Sequence, residues 1–577
     1  MRIVLALTTA LFASACATVP AQVATDTPPT ATPVTVRIVG LNDFHGNLEP
    51  PTRPVQASGD TRLYAGGAAY LASAVAQYRA QNPYSLVISA GDLISASPLS
   101  SSLFLDEPTI GVFNRMALDF NAVGNHEFDR GREELLRMQN GGCEQHTLRK
   151  PCQVEPDFGG ADFAFLAANV STESGETLFP AYGIRRFGSG ADEVAVAVIG
   201  LTLEDTPSVV TPDGVRGLDF ADEAETINAL IPEIKAEGVD AIVVSIHQGL
   251  SPEGQDDSFG CTAISGPLRE ILDRLDPAVD LVISGHTHRP YVCDYSTVDP
   301  ARPMLVTSAY YGGTMLTDIA LRIDPVANRV IGKTARNVIV QSVGTDRDGN
   351  AVEPNPDYPR FVADPDIATY VARYADAARE ASLRPVGRIS GPARKDGVEN
   401  ALGNLVADAQ LAATRDVGAQ IALMNAGGIR ADIEPAEDGT VTFGQIYAVQ
   451  PFGNTLVTKS FTGAQLIAIL QQQFADPGYA KMLSVSQGFE MRIEERDGAW
   501  KLLGARLNGQ PIDPAAVYRV TMNSFLASGG DGFTGFEAGS DVVTGQTDLE
   551  AMEAFLSAGE VRQVPATNRV TVLRGAQ

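Results

Sequence analysis

The chain has 577 residues and a formal net charge of −27; 44% of its residues are hydrophobic and 20% are charged. This length exceeds what one hydrophobic core accommodates, so two or three domains are expected, and the hydrophobic content argues against a disordered chain. The negative charge argues against a nucleic acid polymer as partner, because so acidic a chain offers no basic field to displace counterions, but a small anionic substrate at a local positive site is compatible with it.

The N-terminal residues have the features of an export signal. Residues 1–16 begin with Arg2, continue with a short apolar run and end with small residues before Cys16, the order found in secretory signals and in the bacterial lipobox. The mature chain is therefore expected either in the bacterial periplasm or as an outer-membrane lipoprotein anchored through Cys16, and the sequence leaves both open. Residues 17–33 are rich in Pro, Thr and Ala and are interpreted as a flexible tether.

Apolar runs that alternate with helical stretches predict a layered α/β domain over residues 34–343. The predicted strands are Val34–Leu41, Ser85–Ser89, Val194–Ile199, Ala241–Ile246 and Leu281–Ser284. A segment rich in Pro and Asp, followed by a helical pattern over Ile367–Ser382, predicts a linker and hinge helix over residues 344–384. Residues 385–577 carry enough further elements for a separate core. These are the predicted helices Leu402–Thr414 and Gly463–Phe474 and the predicted strands Ile421–Met424 and Tyr518–Met522.

Four cysteines remain when Cys16 is set aside, an even number that suits an oxidising compartment. The preferred pairs are Cys143–Cys152, which closes a short polar loop, and Cys261–Cys293, which would hold the segment that carries two histidines. A zinc site built from the four is the alternative, but their spacing lacks the paired C-x2-C form.

Five of the six histidines lie just after an apolar, strand-like run and beside Asp, Asn or Gly. The phrases are VGLNDFHG (Asp43, His45), ISAGD (Asp92), AVGNHEFD (Asn125, His126, Asp129), VVSIHQG (His247) and VISGHTH (His286, His288). Because strands of a layered α/β fold converge at their carboxyl ends, these phrases are expected to meet in space. Imidazole and carboxylate ligands together suit Zn, Mn, Fe or Co. The sixth histidine, His146, lies in a polar loop and is interpreted as structural.

Each of these residues also has an ordinary structural explanation. A single histidine after a strand is usually a core or surface residue, Asp92 could be a turn former, and GNHE could be a capped helix start. Chance would have to place five of six histidines in this way at once, so the sequence favours a metal site.

The order Asp-x-His, GD, GNHE, His, GH-x-H resembles the calcineurin-like metallophosphoesterase domain, and more closely the bacterial 5'-nucleotidase and UDP-sugar hydrolase family. NAGGIR, PFGN and FLASGGDGF in the second half strengthen the resemblance to nucleotidases. The resemblance implies an N-terminal four-layer α/β/β/α sandwich, a hinge helix and a C-terminal α/β nucleotide-binding domain.

The resemblance also implies roles for individual residues. Asp43, His45 and His288 would hold one divalent metal ion, Asn125, His247 and His286 would hold a second, and Asp92 would bridge the two. Some relatives have glutamine in place of His288, so the identity of the metals stays open. His126 and Asp129 would form a catalytic pair. The substrate-binding residues would be Arg394, Asn425, Arg430, Phe452, Phe525 and Asp531, with the two aromatic rings stacking on a nucleobase.

The sequence therefore predicts an exported, monomeric hydrolase that releases phosphate from nucleoside 5'-phosphates through attack by a metal-activated water. Domain closure about the linker would bring the base-binding aromatic rings to the metals. The alternatives on the same site are a 2',3'-cyclic-nucleotide phosphodiesterase with 3'-nucleotidase activity and a UDP-sugar hydrolase. An alternative of another class is a periplasmic nucleotide-binding protein without catalytic activity.

Overall fold

The computed structural model describes residues 32–51, 54–58, 61–147, 149–211, 214–252, 264–345, 351–475, 480–559 and 561–574. The predicted export signal with Cys16, most of the predicted tether, and Cys261 lie outside these residues. Within the described ranges, no helix has both the length and the apolar character needed to cross a membrane.

The first half of the chain forms two six-stranded sheets. Across the first sheet the strands are Arg329–Ile339, Met315–Asp324, Val34–Leu41, Ser85–Ser89, Phe120–Ala122 and Ala164–Leu166. Across the second they are Pro290–Asp294, Leu305–Ala309, Leu281–Ser284, Ala241–His247, Val194–Thr202 and Tyr182–Phe187. In each sheet the strands that precede the histidine phrases are parallel, so their carboxyl ends lie at one edge of that sheet.

The two sheets pack face to face, and helices cover both outer faces. Ile38 and Ile88 of the first sheet pack against Val198, Val243 and Ile283 of the second, and all are almost completely buried. Each such side chain contributes about 1.5–3 kcal/mol through burial. The covering helices are Ala68–Arg79, Glu107–Arg115 and Arg132–Asn140 on the first sheet, and Glu223–Ala236 and Pro267–Leu272 on the second. The predicted four-layer α/β/β/α sandwich is confirmed.

The helix Pro365–Leu383 follows the sandwich and packs against it. The side chain of Asp364 caps its first turn by accepting hydrogen bonds from two backbone N–H groups. Tyr370 is buried in the core on the outer face of the first sheet, and the guanidinium of Arg115 lies 3.7 Å from its ring centroid. The helix predicted at Ile367–Ser382 is confirmed, and its apolar face belongs to the first core.

The second half of the chain has its own sheets, helices and apolar cores. A five-stranded sheet has the order Leu483–Val485, Ile421–Asn425, Val517–Asn523, Thr455–Thr462 and Ser540–Thr547. A four-stranded sheet has the order Gln510–Pro511, Ala499–Leu507, Phe489–Arg496 and Val570–Arg574. A three-stranded sheet has the order Thr440–Thr442, Pro385–Ile389 and Val561–Arg562. The helices are Ala401–Ala413, Phe443–Val449, Gly463–Gln472, Ser524–Ala527 and Asp548–Ser557. The predicted α/β character of this half is confirmed.

Short elements complete the described structure. The two-stranded pairs are Val55–Ser58 with Thr61–Leu63, Val170–Thr172 with Leu218–Phe220, Ser251–Pro252 with Ile264–Ser265, and Gly344–Thr345 with Ala351–Val352. Single-turn helices lie at Leu99–Ser102 and Thr206–Val209.

Cys143 and Cys152 form a disulfide with their Cα atoms 5.7 Å apart, which confirms one preferred pair. Cys293 is also disulfide-bonded and lies in the core beside the second sheet. Its predicted partner, Cys261, is not among the described residues. Glu107 accepts a hydrogen bond from the backbone N–H of Cys152, so the disulfide loop is fastened to a helix of the sandwich.

Candidate functional site

All seven side chains predicted as metal ligands lie at the carboxyl ends of five strands, three in the first sheet and two in the second. Asp43 and His45 follow Val34–Leu41, Asp92 follows Ser85–Ser89, Asn125 follows Phe120–Ala122, His247 ends Ala241–His247, and His286 and His288 follow Leu281–Ser284. The face-to-face packing of the sheets brings the two edges together, so residues more than 240 positions apart come into contact.

Asp43, His45 and His288 form one group. Nε2 of His288 lies 3.3 Å from Oδ1 of Asp43 and 3.2 Å from Nε2 of His45. Nε2 of His45 lies 4.0 Å from Oδ1 of Asp43. These three atoms are close enough together to surround a single cation.

Asp92 contacts members of both predicted groups. Its Oδ2 lies 3.0 Å from Nε2 of His247 and 3.6 Å from Nε2 of His45. In the second group, Nδ1 of His286 lies 3.1 Å from Oδ1 of Asn125. The Asp92 carboxylate therefore lies between the two predicted groups.

The backbone at these positions adopts an unusual conformation. Asp43, His45, Asp92, His286 and His288 all have positive φ, between 46° and 71°. Such conformations cost on the order of 1–3 kcal/mol each and persist where surrounding contacts impose them. The concentration of strain at one place is typical of a functional site.

Hydrogen bonds to backbone carbonyls orient two of the imidazoles. Nδ1 of His45 lies 3.0 Å from the carbonyl oxygen of Ser95, and Nδ1 of His247 lies 2.7 Å from that of Ala90. When Nδ1 carries the proton and donates, Nε2 is left with a free lone pair, which is the usual arrangement of a metal-binding histidine.

Glu127 is a further residue of the site, and its sequence context alone does not reveal it. Its buried carboxylate accepts hydrogen bonds from the backbone N–H groups of Asp92, Leu93 and Gly124, at 2.7–2.9 Å. It thereby holds together the two loops that carry Asp92 and Asn125. Its place in GNHEFD was the available signal, but a glutamate there fits a capped helix start equally well.

The residues present fit divalent transition metals. Nε2 of His247 is buried and, despite its proximity to Asp92, has no hydrogen-bond partner in the described structure. Burial, and next the charge of Asp92, raise the pKa of Glu127 to about 8. A cation would use the free nitrogen and neutralise the carboxylates, and the mixed nitrogen and oxygen donors suit Zn, Mn, Fe or Co.

His126 and Asp129 lie beside this centre. Nδ1 of His126 is 2.8 Å from Oδ2 of Asp129, and the backbone N–H of His126 donates to Oδ1 of Asp92 at 3.0 Å. Burial alone would lower the pKa of His126, but the carboxylates of Asp129 and Asp92 outweigh it and raise that pKa.

The second domain contributes Arg430 and Phe452 to the same place. The ring of Phe452 is stacked on the ring of His126, with centroids 5.6 Å apart, and the guanidinium of Arg430 lies 5.8 Å from the Phe452 centroid. Burial lowers the pKa of Arg430, and the carboxylates of Asp92 and Asp129 oppose that shift. Among the described residues Arg430 forms no ion pair, so its fork of donors is available to an anion.

Asn425 and Asp531 are also brought together. Nδ2 of Asn425 donates to Oδ2 of Asp531 at 2.7 Å, and Oδ1 of Asn425 accepts from Nδ2 of Asn523 at 3.0 Å. Asn523 therefore fixes the orientation of the Asn425 amide. Burial raises the pKa of Asp531, and the Asn425 hydrogen bond opposes that shift.

The other two predicted substrate residues are placed differently. Phe525 is half-buried in the helix Ser524–Ala527 and, within the described structure, makes no ring contact with Phe452. Arg394 forms an ion pair with Glu434 at 2.8 Å, and both side chains are exposed. The guanidinium of Arg394 is therefore already paired with a carboxylate, whereas that of Arg430 is paired with none among the described residues.

Two family models match the chain. The model described as calcineurin-like phosphoesterase matches residues 36–290, and the model described as 5'-nucleotidase, C-terminal domain, matches residues 384–538. The first covers every predicted metal ligand and the catalytic pair, and the second covers all six predicted substrate residues.

Individual proteins match over most of the chain. A cell wall protein of Listeria monocytogenes, Lmo0130, is 30% identical over 93% of this chain and 68% of its own length. Endonuclease YhcR of Bacillus subtilis is 30% identical over 91% of this chain, which spans 40% of that longer protein. The crystal structure of a 5'-nucleotidase precursor from Thermus thermophilus is 25% identical, covers 94% of this chain and 99% of its own, and superposes with a TM-score of 0.72. The chain belongs to the 5'-nucleotidase family of calcineurin-like phosphoesterases, which hydrolyse phosphoric esters.

Proposed function

We propose that the chain is an exported, two-metal phosphohydrolase that releases phosphate from nucleoside 5'-phosphates. The observation that carries the proposal is the position of Arg430 of the second domain, which forms no ion pair with any described residue and lies near the carboxylates and imidazoles at the carboxyl ends of the strands. An anion bound by Arg430 would lie against the metal centre. A phosphate monoester has oxygens that could bind the guanidinium and the metal ions at the same time.

The proposed ligand sets are supported by two groups of side chains, Asp43 with His45 and His288, and Asp43 with Asp92 and His247, and by the contact between Asn125 and His286. Asp43, His45 and His288 would hold one divalent cation and Asn125, His247 and His286 the other, with Asp92 shared between them. When bound, the two cations would activate water and neutralise charge on the phosphoryl oxygens.

The side chains of the protein position the phosphate and stabilise its charge. Arg430 would bind two phosphoryl oxygens through its planar fork. His126, kept protonated by Asp129, would donate a hydrogen bond to a phosphoryl oxygen, where charge must be stabilised during transfer. Phe452 and Phe525 would stack on the base, and Asp531, oriented by Asn425, would accept hydrogen bonds from the ribose or base.

Export and domain organisation are part of the proposal. The export signal at residues 1–16 is consistent with a relative named as a cell wall protein, and the periplasmic and lipid-anchored forms differ only in the fate of Cys16. We retain the division into residues 34–343, 344–384 and 385–577, in which the middle segment would let the monomer open and close.

The proposal is tested by phosphate release from AMP, 3'-AMP, 2',3'-cyclic AMP and a UDP-sugar, with Mn, Zn, Co, Mg and Ca, before and after chelation. We expect the highest metal-dependent rate on AMP. Asp92→Ala should lower kcat on the order of 10³-fold or more, because it removes the shared ligand. Asp240→Ala is the matched control, since Asp240 is a buried carboxylate away from the site and also accepts a hydrogen bond from a backbone N–H, that of Ala195. Near-normal turnover by Asp92→Ala, or release that survives chelation, would overturn the proposal.

A further inference from the structure

His288 is held differently from His45 and His247. His45 and His247 are each fixed through Nδ1 by a backbone carbonyl. His288 approaches Asp43 and His45 through Nε2, and its Nδ1 makes no hydrogen bond to a described residue. Its side chain is also the more exposed, at 27% compared with 4% for His45 and 0% for His247. A metal-binding histidine without such a bond needs another constraint on its ring.

The ring of Tyr311 supplies that constraint. It lies parallel to the imidazole of His288, with centroids 4.9 Å apart and an interplanar angle of 10°. The ring of Tyr310 packs edge-on against that of Tyr311, with centroids 4.7 Å apart. Aromatic pairs of this kind are worth about 0.5–1.5 kcal/mol beyond the area they bury.

The segment that carries Tyr311 is fastened to the first metal-binding loop. The backbone N–H of Gly312 donates to the carbonyl oxygen of Asp43 at 2.8 Å, and Nδ2 of Asn42 donates to the carbonyl oxygen of Tyr310 at 2.6 Å. Tyr310 itself has a φ of 69°. These hydrogen bonds fix the position of the Tyr311 ring, and therefore of the His288 imidazole stacked on it, relative to Asp43.

We propose that Tyr311 is a positioning residue that fixes the imidazole of His288 by stacking, in place of the carbonyl hydrogen bond that fixes the other two. This inference rests on the proposed role of His288 as a metal ligand. It predicts that the aromatic ring, and not the hydroxyl group, determines how tightly one of the two cations is held.

The test is a titration of the metal-free, full-length chain with Co²⁺, followed by visible absorption and by competition with a chelator. Tyr311→Ala should weaken one Co²⁺ site by roughly 10–100-fold, the usual effect of losing an outer partner of a ligand. Tyr311→Phe should keep the parental affinity and the parental absorption spectrum. Tyr311→Leu, which keeps most of the volume, should behave like the alanine variant and covers the case in which the alanine variant folds poorly.

A double-variant cycle separates positioning from a general structural effect. In a His288→Gln background there is no imidazole to orient, so Tyr311→Ala should cause no further loss of Co²⁺ affinity. The same loss in both backgrounds, or parental affinity in Tyr311→Ala, would overturn the inference. Because the readout is metal binding without substrate, it succeeds or fails independently of whether the chain hydrolyses nucleotides.

Discussion

The ring of Phe452 lies nearly parallel to that of His126, with an interplanar angle of 14° and 5.6 Å between centroids. The two residues come from different domains and are 326 positions apart in the sequence. A residue proposed to bind the base thus contacts the residue proposed to act on the phosphate.

The proposed stacking role predicts a change that depends on the substrate. The double variant Phe452→Ala, Phe525→Ala should raise KM for AMP by roughly 5- to 150-fold for each ring, since stacking contributes about 1–3 kcal/mol per base. KM for p-nitrophenyl phosphate, which has no base, should change far less. Steady-state kinetics on both substrates measure this. Phe474→Ala is the control, because Phe474 stacks on Trp500 away from the site; equal changes on both substrates would remove the stacking role.

The two arginines should differ in importance. Arg430→Ala should lower kcat/KM for AMP by about 10²–10³-fold, because it removes paired donors at the phosphate, and Arg430→Lys should restore little of it. Arg394→Ala should have a small effect, because Arg394 already pairs with Glu434. Kinetics at saturating metal distinguish the two, and equal losses would mean that Arg394 leaves Glu434 to bind phosphate.

The His126–Asp129 pair should affect turnover more than metal content. His126→Ala should lower kcat by about 10²–10⁴-fold, whereas Asp129→Asn should have a smaller effect, since it leaves the imidazole in place. Metal analysis of each variant should give the parental stoichiometry. Parental kcat in His126→Ala would show that the imidazole takes no part in the reaction.

A buried carboxylate in the second domain predicts a pH dependence of stability. Asp548 is 2% exposed at the start of the helix Asp548–Ser557, and burial raises its pKa to about 7, against the opposing hydrogen bond from the Leu549 N–H. The folded state therefore retains a proton on Asp548 that the unfolded state loses near pH 4. This difference contributes on the order of a few kcal/mol to the free energy of unfolding; the contribution is fully present below pH 4 and is lost as the pH rises to 7. Urea unfolding of the parent and of Asp548→Asn between pH 4 and 7 measures this, and the variant should show the flatter profile. Parallel profiles would contradict the prediction.

The sequence predicted strands best where a continuous apolar run ends in a polar turn. Val34–Leu41, Ser85–Ser89 and Leu281–Ser284 have the predicted bounds. Phe120–Ala122 and Ala164–Leu166 were not predicted, because three residues are too few to show a period.

The same contrast applies to the site. The imidazoles were found because histidine is rare in this chain and recurs after strands. Glu127 and Tyr311 were not found, because the role of each depends on a partner that only the folded chain supplies: backbone N–H groups of two loops for Glu127, and the face of His288 for Tyr311. Glutamate and tyrosine are also too common to stand out by type.

The seven candidate ligands are divided between the two sheets: the first contributes Asp43, His45, Asp92 and Asn125, and the second contributes His247, His286 and His288. Ions held there would join the two faces of the sandwich like a crosslink, so their loss would loosen the sandwich as a whole. Occupancy at a thousand times the dissociation constant adds about 4 kcal/mol to the stability of whatever must unfold to release the ion. Chelation should accordingly lower the melting temperature of the first domain and leave that of the second unchanged, which makes heat resistance a direct reading of how much metal the environment provides.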